Sequence, residues 1–106
     1  MRINFRCSGG FGNLRLACDV DTDKLAEASA DELSELIESA GFFELTQADF
    51  SETPYGAADL VYYYVTITDD DKRKSVGCND ATTPDRLRPL LTHLRDIALA
   101  NSGFSP

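Results

Sequence analysis

A chain of 106 residues with 18 acidic and 10 basic side chains carries a formal charge of −8. This excess of carboxylates argues against nucleic-acid binding, because contacts to phosphate need clustered Lys and Arg. The length suits one domain over residues 1–106, and a hydrophobic share of 42% is ordinary for a globular protein.

The N-terminal residues and the cysteines bear on the cellular compartment. Residues 1–5 alternate in polarity and lack the apolar segment of a signal peptide, and no apolar run approaches the ~20 residues of a transmembrane helix. We therefore expect a cytoplasmic protein with no membrane partner. Cys7, Cys18 and Cys78 form no Cys-x-x-Cys unit and cannot all pair within one molecule. We predict three small buried side chains in a reduced protein.

The first two predicted elements are the strands of a hairpin. Polar and apolar residues alternate over residues 2–7 and again over 13–20, which is the period of half-buried strands. The predicted pairing places Cys7 opposite Leu14 and Ile3 opposite Cys18. Both strands carry arginine at their outward positions, so we predict a basic outer face in an otherwise acidic protein.

Residues 7–13, CSGGFGN, form a hairpin loop that is longer than strand closure requires. Two residues with positive φ are enough for a tight turn. Phe11 at the tip would expose apolar area, so it either folds back onto the core or contacts a partner. The residues by themselves leave both interpretations open.

A helix and an irregular segment follow the hairpin. Ser29-Ala30-Asp31-Glu32 matches a capping box, and the apolar spacing after it predicts a helix over 30–40 that ends at Gly41 in a left-handed cap. The two phenylalanines after the cap are expected to anchor the chain in the core. Residues 44–59 have no consistent period and contain turn signals.

Two more strands and a last helix complete the chain. Residues 60–68, LVYYYVTIT, are rich in β-branched and aromatic side chains, and 73–79 form the partner strand, with Val76 and Cys78 pointing inward. Tyr62 and Tyr64 lie on the outward face, where they either cover the sheet or form a contact surface. Thr83-Pro84 signals a first turn over 84–88, followed by a regular helix from Pro89 to before Gly103.

The predicted order is ββαββα, an α+β fold in which a four-stranded antiparallel sheet is covered on one face by two helices. A single core between the two layers follows from this arrangement.

The sequence offers little for catalysis, a metal or a cofactor, so we expect a protein that is not an enzyme. His93 is the sole histidine and lies beside the apolar stripe of the last helix, which suggests a structural position. Residues 19–23, DVDTD, resemble the start of a calcium loop, but Lys24 stands where that loop needs Gly and Ala30 where it needs Glu. A strand end leading into a helix explains this stretch better.

Two stretches resemble the emfourin family of protein inhibitors of protealysin-like metalloproteases. The first is FRCSGGFGNLRLACDVDTDKL over 5–25, with Ser-Gly-Gly-Phe between two strands and Asp-Thr-Asp before a helix. The second is LRPLLTHLRDIA over 87–98, which is similar to the last helix of that family. The resemblance implies a tight competitive inhibitor of thermolysin-like zinc peptidases, which we expect to be a monomer when free.

This resemblance gives the hairpin loop a role. Ser8, Gly9 and Gly10 are expected to bring a hydroxyl or carbonyl oxygen to the zinc of the peptidase, because glycines allow close backbone approach. Phe11 is expected to fill the hydrophobic pocket that selects substrates. Polar and small residues are expected at the rim: Arg6, Gly12, Asn13 and Arg15.

A function of another class remains open from the sequence. An acidic adaptor, or a protein that mimics nucleic acid, would present its carboxylates to a basic site on a partner. Such binding collapses with salt, because exposed charges are screened beyond ~10 Å at 0.1 M ionic strength.

Overall fold

The computed structural model describes residues 1–10, 14–56 and 60–101. It has four strands and two α-helices in the predicted order ββαββα, which confirms the α+β class. The strands are β1 (Arg2–Gly9), β2 (Leu14–Asp21), β3 (Val61–Asp69) and β4 (Lys72–Asn79), and the helices are α1 (Glu27–Ala40) and α2 (Arg88–Asn101). Short 3₁₀ turns cover Thr22–Lys24, Phe42–Glu44, Gln47–Asp49 and Asp85–Leu87. In the described part of the chain, no helix is both long and apolar enough to span a membrane.

The strands form one antiparallel sheet in the order β2-β1-β3-β4. The predicted hairpin register is wrong by two residues, since Cys7 lies opposite Leu16 and Ile3 lies opposite Val20. The reason is that Ser8 and Gly9 continue β1, which leaves only residues 10–13 between the two strands. A shift of two residues keeps every side chain on its predicted face, because alternate residues share a face.

The core lies between the sheet and the two helices. β1 contributes the most completely buried side chains of the sheet, with Ile3, Phe5 and Cys7 at 0–1% exposure. Val76 is buried on β4, and so is Cys78, as predicted. The helices contribute mainly aliphatic side chains, which are Leu33, Ile37 and Ala40 from α1 and Leu90, Leu91, Leu94 and Ala98 from α2.

The helix ends agree with prediction except at the start of α1. The capping box at 29–32 is not used, because the N-cap is Ala26 and no side chain caps the helix. The chain enters α1 from the preceding 3₁₀ turn, whose own cap is the carboxylate of Asp21. Gly41 ends α1 with a φ of 59°, the predicted left-handed cap. Pro89 stands in the first turn of α2, where no helical donor is needed.

The segment after α1 crosses the helix-facing side of β4. Phe42 is buried, as expected for the exit from α1, and Phe43 packs edge-on against it at a ring distance of 5.7 Å. Lys74 of β4 lies under this segment and donates from Nζ to the carbonyl oxygens of Phe43, at 3.2 Å, and Leu45. These bonds fix the segment to the sheet edge.

Arg86 connects the end of α1 to the same segment, which leads to a first prediction. Its Nε donates to the carbonyl oxygen of Ala40 at 3.0 Å, and its Nη2 lies 3.2 Å from Oδ1 of Asp49. Replacing Arg86→Met should lower the free energy of unfolding by about 1–2 kcal/mol, because a terminal helix carbonyl loses its donor. Urea unfolding measures this change. The matched control is Arg73→Met, an exposed arginine on β4, and equal losses in both variants would contradict the prediction.

Candidate functional site

The base of the hairpin loop is fixed by contacts with the start of β3. The N–H of Gly10 donates to the carbonyl oxygen of Leu60 at 3.2 Å. A Cβ added at Gly9 would lie 2.4 Å from that same oxygen, and the φ of Gly9 is +111°. Gly10 has a φ of +76°. Both glycines are therefore needed by the fold itself, because an L side chain rarely adopts this backbone and at Gly9 also has no space.

Asp80, just after β4, holds the start of β3 in place. Its Oδ2 accepts the N–H of Val61 at 3.2 Å, and its Oδ1 accepts the hydroxyl of Tyr63 at 2.9 Å. Burial, and then the contact with Asp80, raises the pKa of Tyr63 to about 12, so this phenol remains a hydrogen-bond donor at neutral pH. Asp80 thus holds the backbone of Val61 in place. Val61 directly follows Leu60, whose carbonyl oxygen accepts the N–H of Gly10.

The sheet face away from the helices carries the residues that flank the hairpin, and we call it the open face. Ser8 lies there between Arg15 of β2 and Tyr62 of β3, and Arg6 lies in the next row beside Tyr64. Tyr62 and Tyr64 are 43% and 50% exposed. We call the set Arg6, Arg15, Tyr62 and Tyr64 the tip patch.

The far end of the open face differs in its charge. Arg2 Nε lies 3.3 Å from Oδ1 of Asp19, so these two charges compensate each other. Asp21 is also on this end, where it accepts the N–H of Asp23 at 3.0 Å. In the described strands, the two rows nearest the hairpin place no carboxylate on the open face.

The helical layer is acidic where the open face is basic. Its exposed carboxylates are Glu27, Asp31, Glu32, Glu35, Glu38, Asp85 and Asp96. The four arginines of the open face are Arg2, Arg6, Arg15 and Arg73. The basic sheet face predicted for this acidic chain is therefore present, and the molecule has two surfaces of opposite charge.

The structure brings together the predicted binding residues that it describes. Arg6, Ser8 and Arg15 share the open face, and Gly9 and Gly10 continue directly from it. Phe11, Gly12 and Asn13 lie outside the described residues. Sequence reasoning missed the supporting contacts made by Leu60 and Asp80, because they depend on which strand lies beside β1.

Comparison with known protein families identifies the family of this chain. The sequence model of the emfourin family matches residues 5–95. The chain belongs to the emfourin family. Membership implies a protease-inhibitor role toward metalloproteases, in agreement with the resemblance of the hairpin and last helix. No curated protein and no solved structure matched the chain.

Other groups of this emfourin-family chain have structural positions. Burial raises the pKa of the Cys7, Cys18 and Cys78 thiols. Cys7 and Cys78 are buried as predicted, but the prediction is wrong for Cys18, which is only half-buried near α2. His93 is half-buried on α2, with Nδ1 3.8 Å from Oε1 of Glu32 on α1. Within residues 1–10, 14–56 and 60–101, no three His, Cys, Asp or Glu side chains are grouped so as to hold a metal ion.

The close contact at Gly9 predicts a large cost for adding a methyl group. Gly9→Ala should lower the free energy of unfolding by about 3 kcal/mol or more, because backbone strain adds to a clash with the Leu60 carbonyl. Gly56→Ala is the control, since Gly56 also has a positive φ of 78° but has nothing within 4 Å of an added Cβ. Its cost should be about 1 kcal/mol. Equal costs in urea unfolding would show that the Leu60 contact is unimportant.

The raised pKa of Tyr63 predicts a loss of stability in alkali. A phenol whose pKa is higher in the folded state stabilises the fold below its ordinary pKa, and this contribution is lost as pH rises from about 10 to about 12. Tyr63→Phe keeps the ring and removes the titration. The stability difference between wild type and Tyr63→Phe should therefore shrink between about pH 8 and about pH 11 in urea unfolding. A constant difference would contradict this assignment.

Proposed function

We propose that this chain inhibits thermolysin-like zinc metallopeptidases by placing the hairpin loop from Ser8 to Phe11 in the active-site cleft. The observation that carries the proposal is the rigid base of the hairpin in a family of metalloprotease inhibitors. Gly10 is hydrogen-bonded to Leu60, and Gly9 packs against the same carbonyl. A hairpin base held in this way loses little conformational entropy on binding, which favours tight association.

Each part of the loop has a role in this proposal. An oxygen of Ser8, Gly9 or Gly10 takes the open coordination position of the peptidase zinc in place of the catalytic water. Phe11 fills the hydrophobic pocket on the primed side of the cleft. The rim contacts come from Arg6, Gly12, Asn13 and Arg15.

Resistance to cleavage follows from the same rigidity. Peptide hydrolysis requires the scissile carbonyl to reach a narrow range of attack geometry. The backbone at Gly9 and Gly10 is held by β3 and cannot adjust without losing its contacts with Leu60. The loop therefore binds as a substrate would and reacts slowly.

The acidic layer on α1 and α2 favours a second candidate, an adaptor that offers carboxylates to a basic partner site. The exposed glutamates of α1, Glu27, Glu32, Glu35 and Glu38, would carry that contact. Affinity that falls steeply with salt and ignores changes in the hairpin would support the adaptor. For an inhibitor that uses the loop, affinity changes little with salt and falls when the hairpin is altered.

The test is titration of a thermolysin-like zinc peptidase with this protein after preincubation. We expect stoichiometric loss of peptidase activity with the wild type. Ser8→Trp should weaken inhibition at least about a hundredfold, because an indole beside the tip blocks entry to the cleft.

Asn4→Trp is the matched control for Ser8→Trp. Asn4 lies on the same strand and the same open face, four residues farther from the tip, and is exposed. This variant should inhibit like the wild type. Thermal unfolding of both variants establishes that they are folded. Inhibition by Ser8→Trp that equals inhibition by Asn4→Trp would refute insertion of the loop.

A further inference from the structure

We propose that the tip patch is a second contact surface, which receives a carboxylate-rich patch beside the active-site cleft of the target peptidase. This inference rests on the proposed function, because the hairpin brings the tip patch against the target. The helices cover only the other face of the sheet, so the open face is free to meet a partner at β1 and β2 in the first two rows behind the loop. On the β4 side the first row is covered at Asn79, which is buried and donates from Nδ2 to Oγ1 of Thr53 at 3.2 Å.

The composition of the tip patch is that of an interface. Arginine and tyrosine are enriched where proteins bind each other, whereas lysine is depleted. The cations of the open face are all arginines, and the two lysines of β4 lie on the helix side, with Lys74 under the Phe43 carbonyl and Lys72 near its ring. Arginine suits a carboxylate partner, because its planar fork makes paired hydrogen bonds.

A small residue in the second row leaves room for a partner side chain, because Ala17 of β2 stands beside Arg6. On the β4 side the space over Gly77 is already taken by the ring of Tyr64. A depression of about 630 Å³ is lined here by residues that include Arg6, Arg15, Ala17 and Tyr64. A carboxylate side chain entering it meets two guanidinium groups and the exposed part of a tyrosine ring.

Charge complementarity indicates which kind of partner surface binds the tip patch. Arg6 and Arg15 have no carboxylate among the described open-face residues of their rows, whereas Arg2 is paired with Asp19. The rest of the molecule is acidic, with a formal charge of −8 for the whole chain. An acidic partner surface is repelled by the exposed carboxylates of the helical layer and attracted by the tip patch. The tip patch therefore orients the inhibitor so that the loop reaches the cleft first.

The experiment compares two double charge reversals against a thermolysin-like zinc peptidase that the wild type inhibits. Arg6→Glu/Arg15→Glu changes the tip patch, and Lys72→Glu/Arg73→Glu makes the same charge change at the far end of the sheet. Arg73 lies opposite Thr68, in the same row as Arg2, about 14 Å along the strands from Arg6. That separation exceeds the screening length of about 10 Å at 0.1 M salt.

Progress curves of inhibition at about 0.05 M and about 0.5 M NaCl give the association rate constants. We expect the tip-patch reversal to slow association about ten- to a hundredfold relative to the far-end reversal at low salt, and the deficit to shrink at high salt. Tyr62→Ala should speed dissociation about tenfold, as truncation of a buried interface aromatic does. Thermal unfolding verifies that each variant is folded.

The outcomes separate the two proposals. If the wild type inhibits, Ser8→Trp does not, and both charge reversals behave alike, the tip patch is no contact and only this inference is overturned. Faster association of the Arg6→Glu/Arg15→Glu variant would also overturn it, because the facing surface would then be basic. If the wild type inhibits no thermolysin-like peptidase, the proposed function fails, and the inference fails with it.

Discussion

The pairing of β1 with a strand on each side is the constraint on which the rest of the structure depends. β2 comes from the adjoining sequence and β3 from the second half of the chain, so β1 joins the two halves. Its inward side chains are the most completely buried of the sheet. The same pairing continues to Gly9 and brings the Leu60 carbonyl so close that only glycine fits there. β1 therefore determines both the packing of the core and the backbone conformation at the base of the hairpin.

Placing both helices on one face of the sheet divides the molecule into surfaces with different chemistry. The helical layer carries most of the exposed carboxylates, while the open face carries arginines and exposed tyrosines. A net charge alone suggests a partner with a basic site. The division explains how an acidic chain can instead present a basic surface next to its loop. Charge distribution, which depends on strand register, therefore says more about a partner than the total does.

The sequence was sufficient to predict the element order and the faces, because periods of two and 3.6 are local signals. Gly41 and Pro89 marked helix ends for equally local reasons. The predicted hairpin register was wrong because the sequence pattern indicates a turn at Gly9. Its actual place in β1 depends on Leu60, which is distant in sequence. The contacts of Asp80 could not be foreseen for the same reason. The candidate binding residues were predicted from family resemblance, and the structure added the contacts that Leu60 and Asp80 make at the base of the hairpin.

The bond between Gly10 and Leu60 also has a consequence for how the molecule is made. A ribosome delivers β1 and β2 well before β3, and a hairpin alone is marginally stable in water. Until β3 docks, the Gly-Gly segment lacks the partner that fixes it and is an ordinary flexible peptide, which a protease can cut. Strands that are distant in sequence pair slowly, so the Gly-Gly segment can be cut by a protease for as long as β3 has not docked. Whether a peptidase meets the nascent chain as substrate or as inhibitor therefore depends on whether β3 docks before or after that encounter.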